Sequence, residues 1–287
     1  MPVSSSPPDR DSLIRDLSAL IGEKYVLSDP QDMQPFVREW RGIFHGQAQL
    51  VVRPADTQQV AAVLRYANQN RLRIIPQGGN TGLVGGNSPD ESGQDIVLSL
   101  TRLNTIRDVD PLSDTMTVDA GVTLLSAQEA AEKAGRLFPL SLASEGSCTI
   151  GGNLGTNAGG TAVLAYGNAR DLVLGLEVVL ADGRIWNGLG KLRKDNTGYD
   201  LKHLFIGSEG TLGVITAAVL KLFPKPDHIA TLYCGMTSPK SALDLLALAK
   251  KRMGPSVTTF ELLPRLSIEM SVCLLYTSPS PRDLSTS

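Results

Sequence analysis

The run Pro76-Gln77-Gly78-Gly79-Asn80-Thr81-Gly82-Leu83-Val84-Gly85-Gly86 is dense in glycine. Glycine accepts positive φ and has no Cβ, so such a run can bring several backbone N–H groups up to one anion. The chemistry this suggests is a cradle for phosphate or pyrophosphate, with the Thr81 hydroxyl as a further donor. No Gly-Lys-Ser/Thr follows and no GxGxxG opens a long helix, which removes the Walker and dinucleotide-fingerprint readings. A ligand-free surface loop is the competing reading of this run alone. A second run, Gly146-Ser147-Cys148-Thr149-Ile150-Gly151-Gly152-Asn153-Leu154-Gly155-Thr156-Asn157-Ala158-Gly159-Gly160, repeats the pattern. Its Ser147, Asn153, Thr156 and Asn157 add side-chain donors and acceptors beside the glycines. Two such loops point to one long ligand held at two places.

These loops need rigid elements behind them. Gln49 to Ile75 reads as strand, helix, strand, because Leu50-Val51-Val52 meets Pro54 and Asp56, after which Val60, Val63, Leu64 and Ala67 recur at helical spacing. The first loop therefore leaves the end of a strand. Ile96 to Leu100 and Met116 to Val118 read as short strands, and Leu124 to Ala134 as a helix. Val173 to Leu180 reads as a buried strand that turns at Asp182-Gly183 into a partner containing Trp186. A short helix near Leu201 to Ile206 precedes a strand from Val214 to Phe223 that stops at Pro224 and Pro226. A domain boundary is expected near Lys225, followed by a helix over Ser241 to Lys251 and a strand over Val257 to Leu263.

Composition narrows the classes. Of 287 residues, 42% are apolar and 20% charged, with a formal net charge of −2, and no apolar stretch reaches the roughly 20 residues of a membrane-spanning helix. No membrane span and no nucleic-acid partner are expected. Cys148, Cys234 and Cys273 lack CxxC spacing and His45, His203 and His228 lie far apart, so no metal ligands are assigned. Met1 to Arg10, rich in Ser and Pro, is expected to be a frayed terminus of a cytoplasmic chain.

Together with Leu192-Arg193-Lys194-Asp195-Asn196-Thr197-Gly198-Tyr199-Asp200-Leu201 and Phe205-Ile206-Gly207-Ser208-Glu209-Gly210-Thr211-Leu212-Gly213-Val214-Ile215-Thr216, the two loops resemble the vanillyl-alcohol oxidase/p-cresol methylhydroxylase flavoprotein superfamily. The run from Phe138 to Ile215 is most similar to its D-2-hydroxyglutarate and D-lactate dehydrogenase branch. The resemblance covers Val51 to Phe223, with a weaker trace at Thr258-Thr259-Phe260-Glu261-Leu262. It implies an α+β fold: an N-terminal helical segment (1–48), a two-subdomain FAD-binding domain of the PCMH type (49–225) and the start of an α+β cap, or substrate, domain (226–272). Residues 273–287 are expected to be non-native, because Cys273 to Asp283 resembles a translated sequencing adapter; a genuine Ser/Pro tail is the alternative.

The resemblance also implies roles. Pro76, Gly78, Gly79, Asn80, Thr81, Gly82 and Leu83 would hold the pyrophosphate, Ser147, Gly152, Asn153, Thr156, Asn157 and Gly160 the isoalloxazine, and Gly210, Val214 and Ile215 the adenine end. Relatives with covalent flavin commonly carry His in the first loop or Cys in the second. Here Asn80 and Ser147 stand at those positions, so noncovalent FAD is expected, with Cys148 a packed small side chain. The implied reaction oxidises a D-2-hydroxy acid to the 2-oxo acid and passes electrons to a quinone or an electron-transfer flavoprotein. No catalytic residue is assigned: Arg41, Arg193 and Lys194 could face the flavin or an acidic substrate, or simply be solvated, with Tyr199 packed into the core. The substrate clamp and a possible divalent metal are expected in the remainder of the cap. The alternatives are an alkyl-glycerone-phosphate synthase-like transferase and a flavin-binding fragment without turnover.

Overall fold

The computed structural model describes residues 8–276. Its contacts divide the chain into two units, Met1–Ala230 and Thr231–Ser287.

In the first unit, the Asp9 carboxylate accepts the Ser12 N–H at 2.8 Å and starts α1 (Arg10–Ile21). That cap orders Arg10, which was expected to lie in a frayed terminus. Leu13, Leu17 and Ile21 fall on one face and are buried. Next come β1 (Val26–Leu27), α2 (Pro30–Val37, capped by Asp29), β2 (Ala48–Val52), α3 (Thr57–Gln69, capped by Asp56), β3 (Arg73–Gln77) and β4 (Asp95–Ser99). The sheet order is β1-β2-β4-β3, with β2 and β3 parallel to β4. All of β4 is buried, as suits a central parallel strand. The first glycine loop leaves the carboxyl end of β3, the edge at which open parallel sheets receive ligands.

The chain continues through β5 (Ile106–Asp110), β6 (Thr115–Asp119), α4 (Leu124–Lys133), β7 (Arg136–Leu137), α5 (Ile150–Gly155), α6 (Val163–Tyr166), β8 (Val173–Val179), β9 (Ile185–Gly188), α7 (Lys202–Phe205), β10 (Val214–Lys221) and β11 (Phe223–Pro224). A five-stranded antiparallel sheet runs β5-β6-β10-β8-β9. The β8–β9 hairpin turns at Asp182-Gly183, where Gly183 has φ +82° and its N–H donates to the Leu180 carbonyl at 2.8 Å.

One hydrophobic cluster joins both sheets, including Leu50, Leu64, Leu98, Met116, Leu124, Ile150 and Leu176. A buried polar cluster ties them further. Glu177 on β8 accepts hydrogen bonds from Thr57 (2.7 Å), Thr216 (3.0 Å) and Arg107 (3.0 Å), and Arg107 also pairs with Asp119 at 2.6 Å. Burial opposes ionisation of Glu177, but these donors and the Arg107 charge prevail and hold its pKa below the ordinary value.

The second unit contains α8 (Pro239–Met253), started by the Ser238 cap, and α9 (Arg265–Tyr276). The strand expected over Val257 to Leu263 is irregular chain instead. A strand needs a neighbour to pair with, and no strand occurs among the described residues of this unit. Residues 273–276 end α9, while 277–287 of the expected non-native tail lie outside the described residues.

Candidate cofactor site

The first loop is held from behind by the end of α2 and the segment following it. Asn80, in the left-handed conformation (φ 54°), donates from Nδ2 to the carbonyls of Pro35 and Arg38, each at 2.9 Å, and its Oδ1 accepts from Asn87. The Arg41 guanidinium donates to the Leu83 carbonyl. Glu39, buried beneath, accepts the N–H groups of Arg41 (2.7 Å), Ile43 (2.8 Å) and Phe44 (3.3 Å). Burial disfavours its charge, yet those donors and Arg41 hold its pKa below the ordinary carboxylate value. Gln77 closes the end of β3, its amide nitrogen donating to Phe36 O (2.8 Å) and Asn87 O (2.7 Å).

The second loop meets the first directly. A Cβ at Gly78 would stand 2.3 Å from the Thr149 hydroxyl oxygen, and one at Gly79 only 1.9 Å from the Ser147 carbonyl oxygen. These two glycines thus let one loop close on the other. Thr149 caps α5, accepting the Gly152 N–H at 3.4 Å. Asn153 is buried and donates to Cys148 Sγ at 3.5 Å, which leaves Cys148 packed in the interior. A third segment leans on the second loop: the Gly207 N–H donates to Leu154 O (3.0 Å) and the Glu209 N–H to Gly155 O (2.9 Å).

Between the three segments lies a cleft of about 280 Å³. Among the expected site residues, Pro76, Gly78, Gly79, Asn80, Thr81, Gly82, Gly152, Asn153, Thr156, Gly210, Val214 and Ile215 line it. Leu83, Ser147, Asn157 and Gly160 do not. Leu83 is half exposed and offers its carbonyl to Arg41, and Ser147 meets Gly79 through its backbone. Asn157 turns its side-chain oxygen to the Arg170 N–H, and Gly160 (φ +78°) abuts the Ser141 carbonyl. Arg41, Arg193 and Lys194 are absent from the lining. Tyr199 is 93% exposed and not packed into the core, because residues 191–200 run as an exposed loop.

The sequence reading missed Gln77, Asn87, Thr149, Gly155, Glu209 and Gly213, all of which line the cleft. Gly155 is the informative one. It ends α5 without positive φ, and a Cβ there would meet nothing within 4 Å. Gly152 is nearly as open, its nearest neighbour 3.4 Å away. Neither backbone conformation nor packing calls for glycine here, and these positions form an open shelf in the cleft wall. Among the described residues, Glu209 is the charged side chain of the lining and no cation shares it. Phosphate oxygens in this cleft would therefore be received by backbone N–H groups, as glycine-rich loops allow.

Comparison with known proteins agrees with this geometry. Residues 48–188 match a family model described as an FAD binding domain. The mitochondrial D-2-hydroxyglutarate dehydrogenase of Bos taurus is 44% identical over 238 residues, covering 82% of this chain and 43% of the bovine protein. A putative mitochondrial D-lactate dehydrogenase of Schizosaccharomyces pombe is 42% identical over 242 residues, covering 84% of this chain and 45% of the yeast protein. The chain thus spans less than half the length of either relative. The solved structure of p-cresol methylhydroxylase with substrate bound superposes with a TM-score of 0.68 at 21% identity, over 87% of this chain and 50% of that one, which establishes the shared fold. The expectation of a cytoplasmic chain is overturned by relatives that are mitochondrial proteins. A Ser/Pro-rich opening stretch does not specify a compartment.

Proposed function

We propose that the chain, whose residues 48–188 match an FAD binding domain model, is the flavin-holding part of a dehydrogenase oxidising a D-2-hydroxy acid, of the D-2-hydroxyglutarate or D-lactate class, to the 2-oxo acid. The observation that carries the reading is the meeting of the two glycine loops as walls of one cleft, with an open shelf at Gly152 and Gly155. The identity to the bovine and fission-yeast enzymes supports the substrate class.

FAD, when bound, supplies a hydride acceptor for the carbon that bears the substrate hydroxyl. In this reading the N–H groups of Gly78 to Gly82 receive the pyrophosphate, Gly152, Asn153, Gly155 and Thr156 adjoin the ring system, and Gly210, Val214 and Ile215 adjoin the adenine end. Leu83, Ser147, Asn157 and Gly160 act from behind the lining. Attachment is noncovalent, since Asn80 spends its amide on the backbone of 35–38 and Cys148 is buried.

A 2-hydroxy acid substrate brings at least one carboxylate, and no cation among the described residues lines the cleft. We place the carboxylate clamp, the catalytic base and any divalent metal in the substrate domain that begins near residue 226, after a flavin domain over 49–225. The proposed setting is mitochondrial, with a quinone or an electron-transfer flavoprotein as the electron acceptor. For the chain by itself, the same missing cation favours flavin binding without turnover.

Titrating FAD into the purified chain should give a yellow protein with altered flavin fluorescence. A protein of the relatives' full length carrying this sequence should then be bleached anaerobically by D-2-hydroxyglutarate or D-lactate. If no D-2-hydroxy acid reduces its flavin, the dehydrogenase reading is rejected.

A further inference from the structure

We propose that Arg170 is a positioning residue for the cofactor cleft, fastening the second glycine loop and the turn over residues 206–210 into one wall; the inference rests on the flavin-binding reading above. Arg170 sits outside the lining, in the 3-10 turn Ala169–Leu172. From there it reaches both segments. Its backbone N–H donates to Asn157 Oδ1 at 3.0 Å, next to Ala169, whose N–H donates to Ala158 O at 2.8 Å. Its Nη1 donates to the His203 carbonyl at 2.9 Å and lies 3.2 Å from His203 Nδ1, while its Nη2 donates to the Ile206 carbonyl.

The joined segments each carry a residue in the left-handed backbone conformation. Asn157 and Glu209 each have φ of 51°, a region that Asn tolerates but that a residue such as Glu209 keeps only where its surroundings over-determine it. Arg170 supplies that determination on one side, the bonds from Gly207 to Leu154 and from Glu209 to Gly155 on the other. Thr156, Ala158, Glu209 and Gly210 line the cleft beside these anchors, so slippage of either segment changes the lining itself.

A guanidinium suits the task because its planar fork addresses several acceptors at once, which an ammonium on a flexible stem does not. His203 is a willing acceptor. Burial, followed by the opposing pull of Asp200 and the push of Lys202 and Arg170, leaves its pKa below the ordinary value, so the neutral ring offers Nδ1 to Arg170 and can turn Nε2–H toward Asp200, 3.3 Å away.

The test is FAD titration of the full chain, read by flavin fluorescence and the visible flavin spectrum, with melting of the FAD-free protein measured in parallel. Arg170→Ala and Arg170→Lys should each weaken FAD by about 10-fold or more, from loss of charge-assisted hydrogen bonds, and blur the shoulders of the bound-flavin spectrum. His203→Ala, which removes one of the acceptors, should stay within about 3-fold. Should Arg170→Ala fail to fold, Asn157→Gly keeps the left-handed backbone accessible and removes only an acceptor; it should weaken FAD by about 3-fold or more. A variant set that lowers FAD-free melting but leaves FAD affinity and the flavin spectrum at wild-type values overturns the inference while the flavin reading stands. A wild-type chain that stays colourless with FAD overturns both.

Discussion

Gly79 and Gly155 are the same residue type in neighbouring loops, but their surroundings make opposite demands. At Gly79 a methyl group would overlap the Ser147 carbonyl, so Gly79→Ala must push the loops apart. It should cost roughly 1–3 kcal/mol of stability and weaken FAD as well, with both losses visible in melts and titrations. At Gly155 the methyl has open space, and α5 gains a better helix former. Gly155→Ala should therefore raise the FAD-free melting temperature by about 2 °C, from up to about 1 kcal/mol, yet weaken FAD by about 10-fold because the methyl occupies the shelf. Loss of both together would mean that the shelf is structural. The glycine runs were legible in the sequence as loops that approach something closely. Which glycine faces ligand and which faces chain was not legible, because the deciding neighbour of Gly79 is a carbonyl 68 positions further on, Ser147. The same holds for Asn80, whose side chain serves the backbone of 35–38, and for Ser147, which contributes a carbonyl and not its hydroxyl to the loop contact.

Among the elements, β8 with its turn at Asp182-Gly183, β10, α3 and α4 could be read from alternation, apolar runs, caps and helical spacing. α5 could not, since Gly151, Gly152 and Gly155 argue against a helix and it is held by the Thr149 cap, burial of Ile150 and Leu154, and the bonds from Gly207 and Glu209 to its carbonyls. The buried cluster around Glu177 was equally invisible, because Thr57, Arg107, Asp119, Glu177 and Thr216 come from five elements. It has a measurable consequence. The folded-state pKa of Glu177 lies below its unfolded value of 4.5, so its contribution is fully present above that value and lost as pH falls through the lowered folded pKa. Glu177→Gln removes the ionised acceptor and should cost roughly 1–3 kcal/mol at pH 7. Because acid strips the same contribution from the wild type, the gap between their melting temperatures should narrow as pH is lowered from 7 to about 3. A gap independent of pH would show that Glu177 contributes through shape and not through charge.

At the scale of the whole molecule, every residue lining the cleft belongs to the first unit. The stretch that spans its end, residues 225–238, is exposed and carries no helix or strand. The second unit behaves differently from the first: Leu243, Leu248, Leu266, Ile268 and Met270 are each about half exposed or more, and Ala242 is its buried apolar residue among those described. A unit of this size that buries so little apolar surface supplies little folding free energy of its own. Two outcomes follow from that asymmetry. Limited proteolysis should cut first within 225–238 and 261–264, where the chain is exposed and carries no helix or strand, and leave a resistant fragment that still carries FAD. A chain ending at Ala230 should bind FAD within about 2-fold of the full chain, since cleft, supporting sheets and core all lie before that point. Loss of FAD from the shortened chain would instead mean that the second unit completes the cofactor site, and the cleft between the glycine loops would no longer suffice as its description.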